Sequence, residues 1–379
     1  MKIAILHEML VKLGGAEKVL ECLVKIFPKA DIFTLIYDEK KVKNIFPKNK
    51  INKQVFSTSS QRMYKITKNQ RLSLIFMAKS VESFDFSDYD YVICSSSSFA
   101  HGAITKPETK FIVYYHSPSR YLWDWTNEYK RDIGWNKGIK GLILNKIFLN
   151  LRKWDFIASN RSDVILANSN NTSLRIKKYY KKKSEILYPP VEVERFQKKV
   201  NLSLEKVFKG KINSSDYYII ISALTEFKKI DVAIKAFNNL KDKKLVIIGE
   251  GNYRKELEKI ASNNIKFVGF QSGDELVLLV QNSLGLIFPG EEDFGIVPIE
   301  VMAAGKPVFA YKGGGLLETV IKGKTGEFFK DKEGIDFIEK FKKFDKNNIN
   351  GKYKSKDCIN QANKFSGKEF KKRITSLIK

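Results

Sequence analysis

The sequence predicts an α/β protein of two domains, each a parallel sheet with helices on both faces. Three observations carry this. Apolar runs of strand length alternate with stretches of helical spacing through the first half. A proline pair interrupts the pattern within YPPVEVERF, residues 188–196. The same alternation then restarts and continues nearly to the end. A length of 379 residues agrees, since one ordinary core does not extend that far.

Taken in order, KIAILHE is a short apolar run suited to a buried parallel strand. A Gly-Gly loop follows, and then AEKVLECLVKIF, in which Val19, Leu20, Leu23, Val24 and Phe27 recur at helical spacing. DIFTLIY, YDYVICSSSS, KFIVYYHS and DVILANS repeat the strand signal, with helical stretches between most of them. Two prolines suit neither element, so the domain boundary is placed just beyond them: 1–198 forms the first domain and 199–357 the second. DYYIIISAL, KKLVIIGEG, IKFVGF, LGLIFPG and KPVFAY supply five strands of the second sheet. The segment 358–379 reads as a terminal helix or a pair of helices. Two such domains are expected to face one another across a cleft at the carboxyl ends of their strands, where open α/β sheets bind ligands.

Composition bounds the function. Hydrophobic residues at 43% and charged residues at 29% describe a globular chain rather than a disordered one. No run approaches the ~18 apolar residues that span a bilayer. The opening MKIAILHEML turns polar too soon for a secretory signal, so a cytoplasmic location is expected. Cys22, Cys94 and Cys358 have neither zinc spacing nor a disulfide framework, which fits reduced, buried thiols. The net charge of +26 favours anionic partners, although a Lys-rich solvated surface explains it equally well. Asp88-Tyr89-Asp90 has the D-x-D pattern of some metal-dependent sugar transferases, but it precedes its strand, so no metal is expected.

The loops carry the candidate chemistry. In residues 290–320, Glu292 lies in the loop after a strand, and Pro298 is suited to helix position N1, which puts Glu300 in the first turn. Two carboxylates so placed can accept hydrogen bonds from vicinal sugar or ribose hydroxyls; a helix-capping Glu300 and a solvated Glu292 are the plainer alternative. Gly313, Gly314 and Gly315 open the next helix, and Gly14 and Gly15 open one in the first domain. Both loops present backbone N–H groups suited to a diphosphate, or simply make turns. GEGNYR offers Gly249 and Gly251 but has Arg254 where a dinucleotide fingerprint needs a third glycine. Lys228, with Lys229 beside it, follows a strand end and can meet phosphate charge. His116 ends an apolar strand with Arg120, Tyr121, Trp123 and Asp124 close behind; His7 also closes a strand, and His101 follows the SSSS loop.

Together these residues resemble glycosyltransferase family 4, which has the GT-B fold of two Rossmann-like domains. GGAE at 14–17, the lysine of FKK, the E-x7-E of Glu292 and Glu300 and the GGG at 313–315 fall in the family's order. HSPSRYLWD, ANSNNTSLRIKKYY, YPPVEVERF and SALTEFKKID look like its O-antigen and capsule mannosyltransferase branch. The resemblance implies a retaining, metal-independent transfer of a hexose from a nucleotide diphosphate sugar, with no cofactor. The branch implies mannose from GDP-mannose. Glu300 would hold the ribose hydroxyls and Glu292 the donor sugar. Gly14, Gly15, Gly313 and Gly314 would surround the diphosphate and sugar, with Lys229, Gly249, Phe294, Gly295 and Ile296 as further donor contacts. Lys228 would neutralise the leaving phosphate, and His116 would bond a donor-sugar hydroxyl. Arg120, Tyr121 and Trp123 are the candidate acceptor contacts. The family often has an arginine where this chain has Ala223; Lys229 or Arg120 would then supply the second charge. The family also implies that 358–379 crosses back to the first domain.

The acceptor reading follows from two basic stretches. GIKGLILNKIFLNLRKWDF (138–156) and RIKKYYKKK (175–183) could rest on the anionic inner leaflet, or pack as ordinary helices with basic outer faces. Peripheral attachment suits a polyprenyl-diphosphate-linked or surface-polysaccharide glycan acceptor. The alternatives are a UDP-sugar donor and a GT-B epimerase or sugar-phosphate synthase. No nucleic-acid reading module is present, so no nucleic-acid partner is expected.

Overall fold

The computed structural model describes residues 1–205 and 216–378. The described chain divides into two compact units, Met1–Pro190 with Phe370–Lys379, and Val191–Glu369.

The sheet of the first unit is parallel. Its strands are β1 (Ile3–His7), β2 (Asp31–Thr34), β3 (Tyr91–Ser96), β4 (Lys110–Tyr115), β5 (Val164–Ala167) and β6 (Glu185–Ile186), in the order β2-β1-β3-β4-β5-β6. Every residue of β1 is buried, and so is all of β4 beyond Lys110, as a sheet covered on both faces requires. The first helix, Gly15–Ile26, turns Val19, Leu20 and Leu23 to the core. Phe33, Phe84, Phe86 and Tyr89 close one end with tilted and edge-on ring contacts.

The second unit repeats the design with β7 (Tyr217–Ile221), β8 (Lys244–Ile248), β9 (Ile265–Gly269), β10 (Gly285–Phe288), β11 (Val308–Tyr311) and β12 (Gly326–Phe329). Its order, β12-β11-β10-β7-β8-β9, is that of a dinucleotide-binding sheet counted from its own first strand. Phe309, Phe329, Phe337 and Phe341 pack ring against ring beneath it.

Four details differ from the sequence expectation. β6 and β12 are additional edge strands; one has two exposed residues and the other begins Gly-Glu, so neither shows as an apolar run. The division falls after Pro190 rather than after 198. Val191, Val193 and Phe196 are buried, and the short helix Val193–Gln197 packs on helix Ile296–Ala303 of the second unit. The terminal segment is a pair of helices, of which only the second, from Phe370 onward, groups with the first unit. Ser355–Asn363 stays with the second because it also packs on Ile296–Ala303, and Gln361 donates to the Thr319 carbonyl at 3.0 Å. Finally, that central helix begins at Ile296, so Pro298 is its third residue and Glu300 lies in the second turn. Pro298 remains among the first residues, whose N–H groups have no partner within the helix.

Candidate active site

In each sheet the ligand-binding position expected from topology is the point where strand order reverses. In the first unit this is the carboxyl end of β1 and β3. His7 and Ser95 are register partners there. His7 Nδ1 lies 3.0 Å from the Ser95 hydroxyl, and His116 Nε2, just past the end of β4, lies 2.8 Å from the same oxygen. Three adjacent strand ends are thus joined through one serine. His7 Nε2 is 3.7 Å from a Glu17 carboxylate oxygen in the first turn of helix Gly15–Ile26. Burial opposes the charge of Glu17, but the hydrogen bond and charge of His7 outweigh it and hold the carboxyl below its usual value. Burial holds His116 down to about 3, so its ring is neutral at physiological pH.

Gly14 precedes the helix and Gly15 is its first residue. A Cβ on Gly14 would come within 3.0 Å of Glu17 Oε2. Beside them, buried Glu8 accepts the backbone N–H groups of Ser97, Ser98, Phe99 and Ala100 at 3.3, 3.2, 2.6 and 3.1 Å. Burial pushes its carboxyl above the usual value, against the opposing pull of the Phe99, Ala100 and Ser97 N–H groups. The polar run 95–98 is therefore a wired loop that ties the end of β3 to that of β1.

The residues after β4 have internal partners. Arg120 lies over the Trp125 ring at 4.5 Å and sits 3.7 Å from Asp124. The Tyr121 hydroxyl shares a short hydrogen bond with Ser98. Trp123 donates its indole N–H to Asp155 at 2.7 Å and stacks on Tyr179 at 5.0 Å. His101 is fully buried, with Nε2 3.5 Å from Asp155 Oδ1.

In the second unit, strand order reverses between β7 and β10, and the loops after these two strands hold Lys228 and Glu292. Their side chains form an ion pair at this position. Lys228 ends the turn Glu226–Lys228, and its ammonium lies 5.0 Å from the centre of the Phe227 ring. Gly290 brings the two loops together, since a Cβ there would come within 2.9 Å of the Lys228 carbonyl oxygen. Lys229 adopts a left-handed conformation and pairs with Glu333 at 3.2 Å.

Glu300 is buried on helix Ile296–Ala303, and Gly295 is the residue preceding that helix. Phe294 is buried, 5.7 Å from the Phe365 ring. Gly313 and Gly315 donate their N–H groups to the carbonyls of Tyr311 and Glu292, both at 2.9 Å. At Gly314, φ is +58°, and a Cβ would meet the Glu292 carbonyl oxygen at 2.0 Å. The triple glycine thus lets residues 313–315 lie against the backbone of 292–294. Gly249 plays the same part between neighbouring strands: φ is +138°, and a Cβ would lie 1.9 Å from the Ser222 carbonyl oxygen.

The structure therefore gathers Lys228, Glu292, Gly295, Glu300, Gly313 and Gly314 at one end of the second sheet, and Gly14, Gly15 and His116 at one end of the first. His7, Ser95, Glu17 and Glu8 join the latter set, although sequence reasoning did not place them in it. His7 carried a signal, since it ends its strand as His116 ends another. Asp88 and Asp90 pair with Lys2 Nζ and with the Lys2 backbone N–H ahead of β3. Among the described residues, no group of three or more His, Cys, Asp or Glu side chains is arranged to hold a metal.

Comparison with known proteins gives this geometry a context. Residues 203–365 match the family model described as glycosyl transferases group 1. The alpha-1,3/1,6-mannosyltransferase ALG2 of Dictyostelium discoideum is 27% identical over 310 residues, covering 72% of this chain and 70% of that protein. Its Candida glabrata counterpart is 25% identical over 374 residues, covering 85% and 78%. The crystal structure of Anabaena HepE in complex with UDP matches with a TM-score of 0.74 at 17% identity, covering 100% of this chain and 99% of that one. The chain is a glycosyltransferase of the GT-B fold. Sucrose-phosphate synthase of Thermosynechococcus elongatus shares the fold, with a TM-score of 0.73 at 14% identity, covering 99% of this chain and 98% of that one. In this glycosyltransferase the matched family segment contains Lys228, Glu292, Glu300 and the triple glycine, the set converging on the β7–β10 reversal.

Proposed function

We propose that this glycosyltransferase, a family 4 enzyme, transfers mannose from GDP-mannose, with retention and without a metal, to a lipid-linked or surface-polysaccharide glycan. The observation that carries the reading is the Lys228–Glu292 ion pair at the β7–β10 reversal, with buried Glu300 on the helix that follows. The relatives named as mannosyltransferases support the sugar.

On this reading Glu300 accepts hydrogen bonds from the ribose hydroxyls, and Glu292 from the donor sugar. Phe294, Gly295, Ile296, Gly249 and the 313–314 backbone line the donor, with Gly14 and Gly15 contributing backbone N–H groups. As the bond from the sugar to the diphosphate breaks, negative charge gathers on the departing phosphate. Lys228 and backbone N–H groups aimed there lower the barrier more than they strengthen ground-state binding. The leaving phosphate oxygen takes the proton of the acceptor hydroxyl, so no protein nucleophile is required. Neutral His116 bonds a sugar hydroxyl. Arg120, Tyr121 and Trp123 are the proposed acceptor side.

The bases of the donors differ, and the solved HepE complexes contain UDP and UDP-glucose, so a UDP-sugar is the second reading. Calorimetry with GDP, UDP, GDP-mannose and UDP-glucose separates the two. Tight binding of the GDP species, lost in Glu300→Gln with the melting temperature preserved, is the expected result. Binding of UDP species alone would discard mannose from GDP-mannose, and no nucleotide binding at all would overturn the donor site.

A further inference from the structure

The helix Gly138–Ala158 buries one face against the first unit, where Leu144 and Phe148 form a small cluster with Leu122. Its opposite face carries apolar side chains that the fold does not use. Leu142, Leu149 and Phe156 follow one another at seven-residue intervals, which places them on a single line along the helix. Ile139, Ile143 and Ile157 flank that line, and all six are exposed, Ile139 to 76%, Leu142 to 69% and Ile157 to 60%. Single exposed leucines are ordinary, but a continuous stripe of this kind marks a contact surface.

The charge pattern identifies the partner. Between residues 137 and 158 there are five basic residues, and the only acid, Asp155, is buried. Lys146 and Lys153 lie within the exposed face, and Lys137 and Lys140 stand near its start. A second copy docked on this stripe would set these lysines near their equivalents, in a chain that already carries +26. An anionic lipid surface instead satisfies both features at once: acyl chains cover the apolar line, and headgroup phosphates meet the lysines. Among the described residues no helix is long and apolar enough to cross a membrane.

We infer that the outer face of helix Gly138–Ala158 docks this enzyme, lying flat, onto an anionic bilayer. The inference does not rest on the donor assignment, because vesicle binding is read without nucleotide.

The full chain is tested by co-sedimentation with vesicles of phosphatidylcholine alone and of phosphatidylcholine with phosphatidylglycerol. Binding should require the anionic lipid and weaken as salt is raised. The triple variant Leu142→Gln, Leu149→Gln, Ile157→Gln should lower vesicle binding by roughly tenfold or more, with melting temperature and nucleotide binding retained. Lys146→Gln with Lys153→Gln alters only exposed positions and should lower binding to the anionic vesicles by roughly tenfold. This pair keeps the test decisive if the triple variant folds poorly. Failure of the native protein to bind anionic vesicles would overturn the inference, as would unchanged binding by the folded variants. A native dimer that the triple variant dissociates, with no vesicle binding, would assign the face to a second copy instead.

Discussion

At the scale of single residues, the proposed chemistry rests on a few side chains held in place by immediate neighbours. Lys228 is paired with Glu292, so on the proposed reading an incoming diphosphate must share or displace that carboxylate. Glu292→Gln should therefore tighten binding of the free nucleoside diphosphate while lowering kcat by roughly tenfold or more; calorimetry beside steady-state kinetics checks both signs. Lys228→Met should weaken nucleotide binding and lower kcat further. His116→Ala should lower kcat and leave nucleotide affinity nearly unchanged, because its proposed partner is the sugar. The buried pair His101–Asp155 makes a pH prediction. Burial holds His101 down to about 4 and pushes Asp155 up to about 7. Between these values the unfolded chain protonates His101 up to about pH 6.5 while the folded chain does not, so stability from this group rises with pH. Asp155 acts oppositely: the folded state keeps a proton that the unfolded state loses, so its contribution falls with pH. Asp155→Asn removes the second slope only. Its melting temperature should climb more steeply with pH from about 4 to 6.5 than that of the native protein, as a thermal-shift series would show.

At the scale of elements, the loops after the strands are fixed by backbone approaches that only glycine permits. Gly314 has a left-handed backbone and lies against the Glu292 carbonyl, so an added methyl cannot be accommodated without moving the loop that carries Glu292. Gly314→Ala should cost about 1–3 kcal/mol and lower donor affinity as well; chemical denaturation paired with calorimetry measures both. Much at this scale was legible. The apolar runs located five strands in each half, because buried parallel strands are continuously apolar. The two edge strands were not legible, since an edge needs no such run. The start of helix Ile296–Ala303 was misplaced by two residues because Pro298 is tolerated anywhere in a first turn that lacks N–H partners. The triple glycine was visible as a motif, but two of its N–H groups are spent on neighbouring carbonyls, which no spacing rule shows.

At the scale of the whole molecule, the chain ends in the unit where it began. Phe370 and Ile374 of the last helix are buried with Tyr114 in the first core. Arg373 reaches Glu185 through two hydrogen bonds of 2.6 Å. Phe370→Ala should destabilise the first unit by about 3–5 kcal/mol and leave the second nearly untouched. Calorimetric unfolding should then show two separated transitions, with only one moved. The sequence by itself determined the fold class and displayed the motifs of the loops that follow the strands. Each of these is written in local pattern: apolar period, glycine and proline placement, and carboxylate spacing. Tertiary structure alone decided which strand ends meet. His7, Ser95 and His116 lie far apart in the chain and are joined only because β3 sits between β1 and β4. Lys228 and Glu292 are 64 positions apart and pair only because β10 lies beside β7. Strand order is set by long-range packing of whole elements, so a local pattern that names each strand does not name its neighbour.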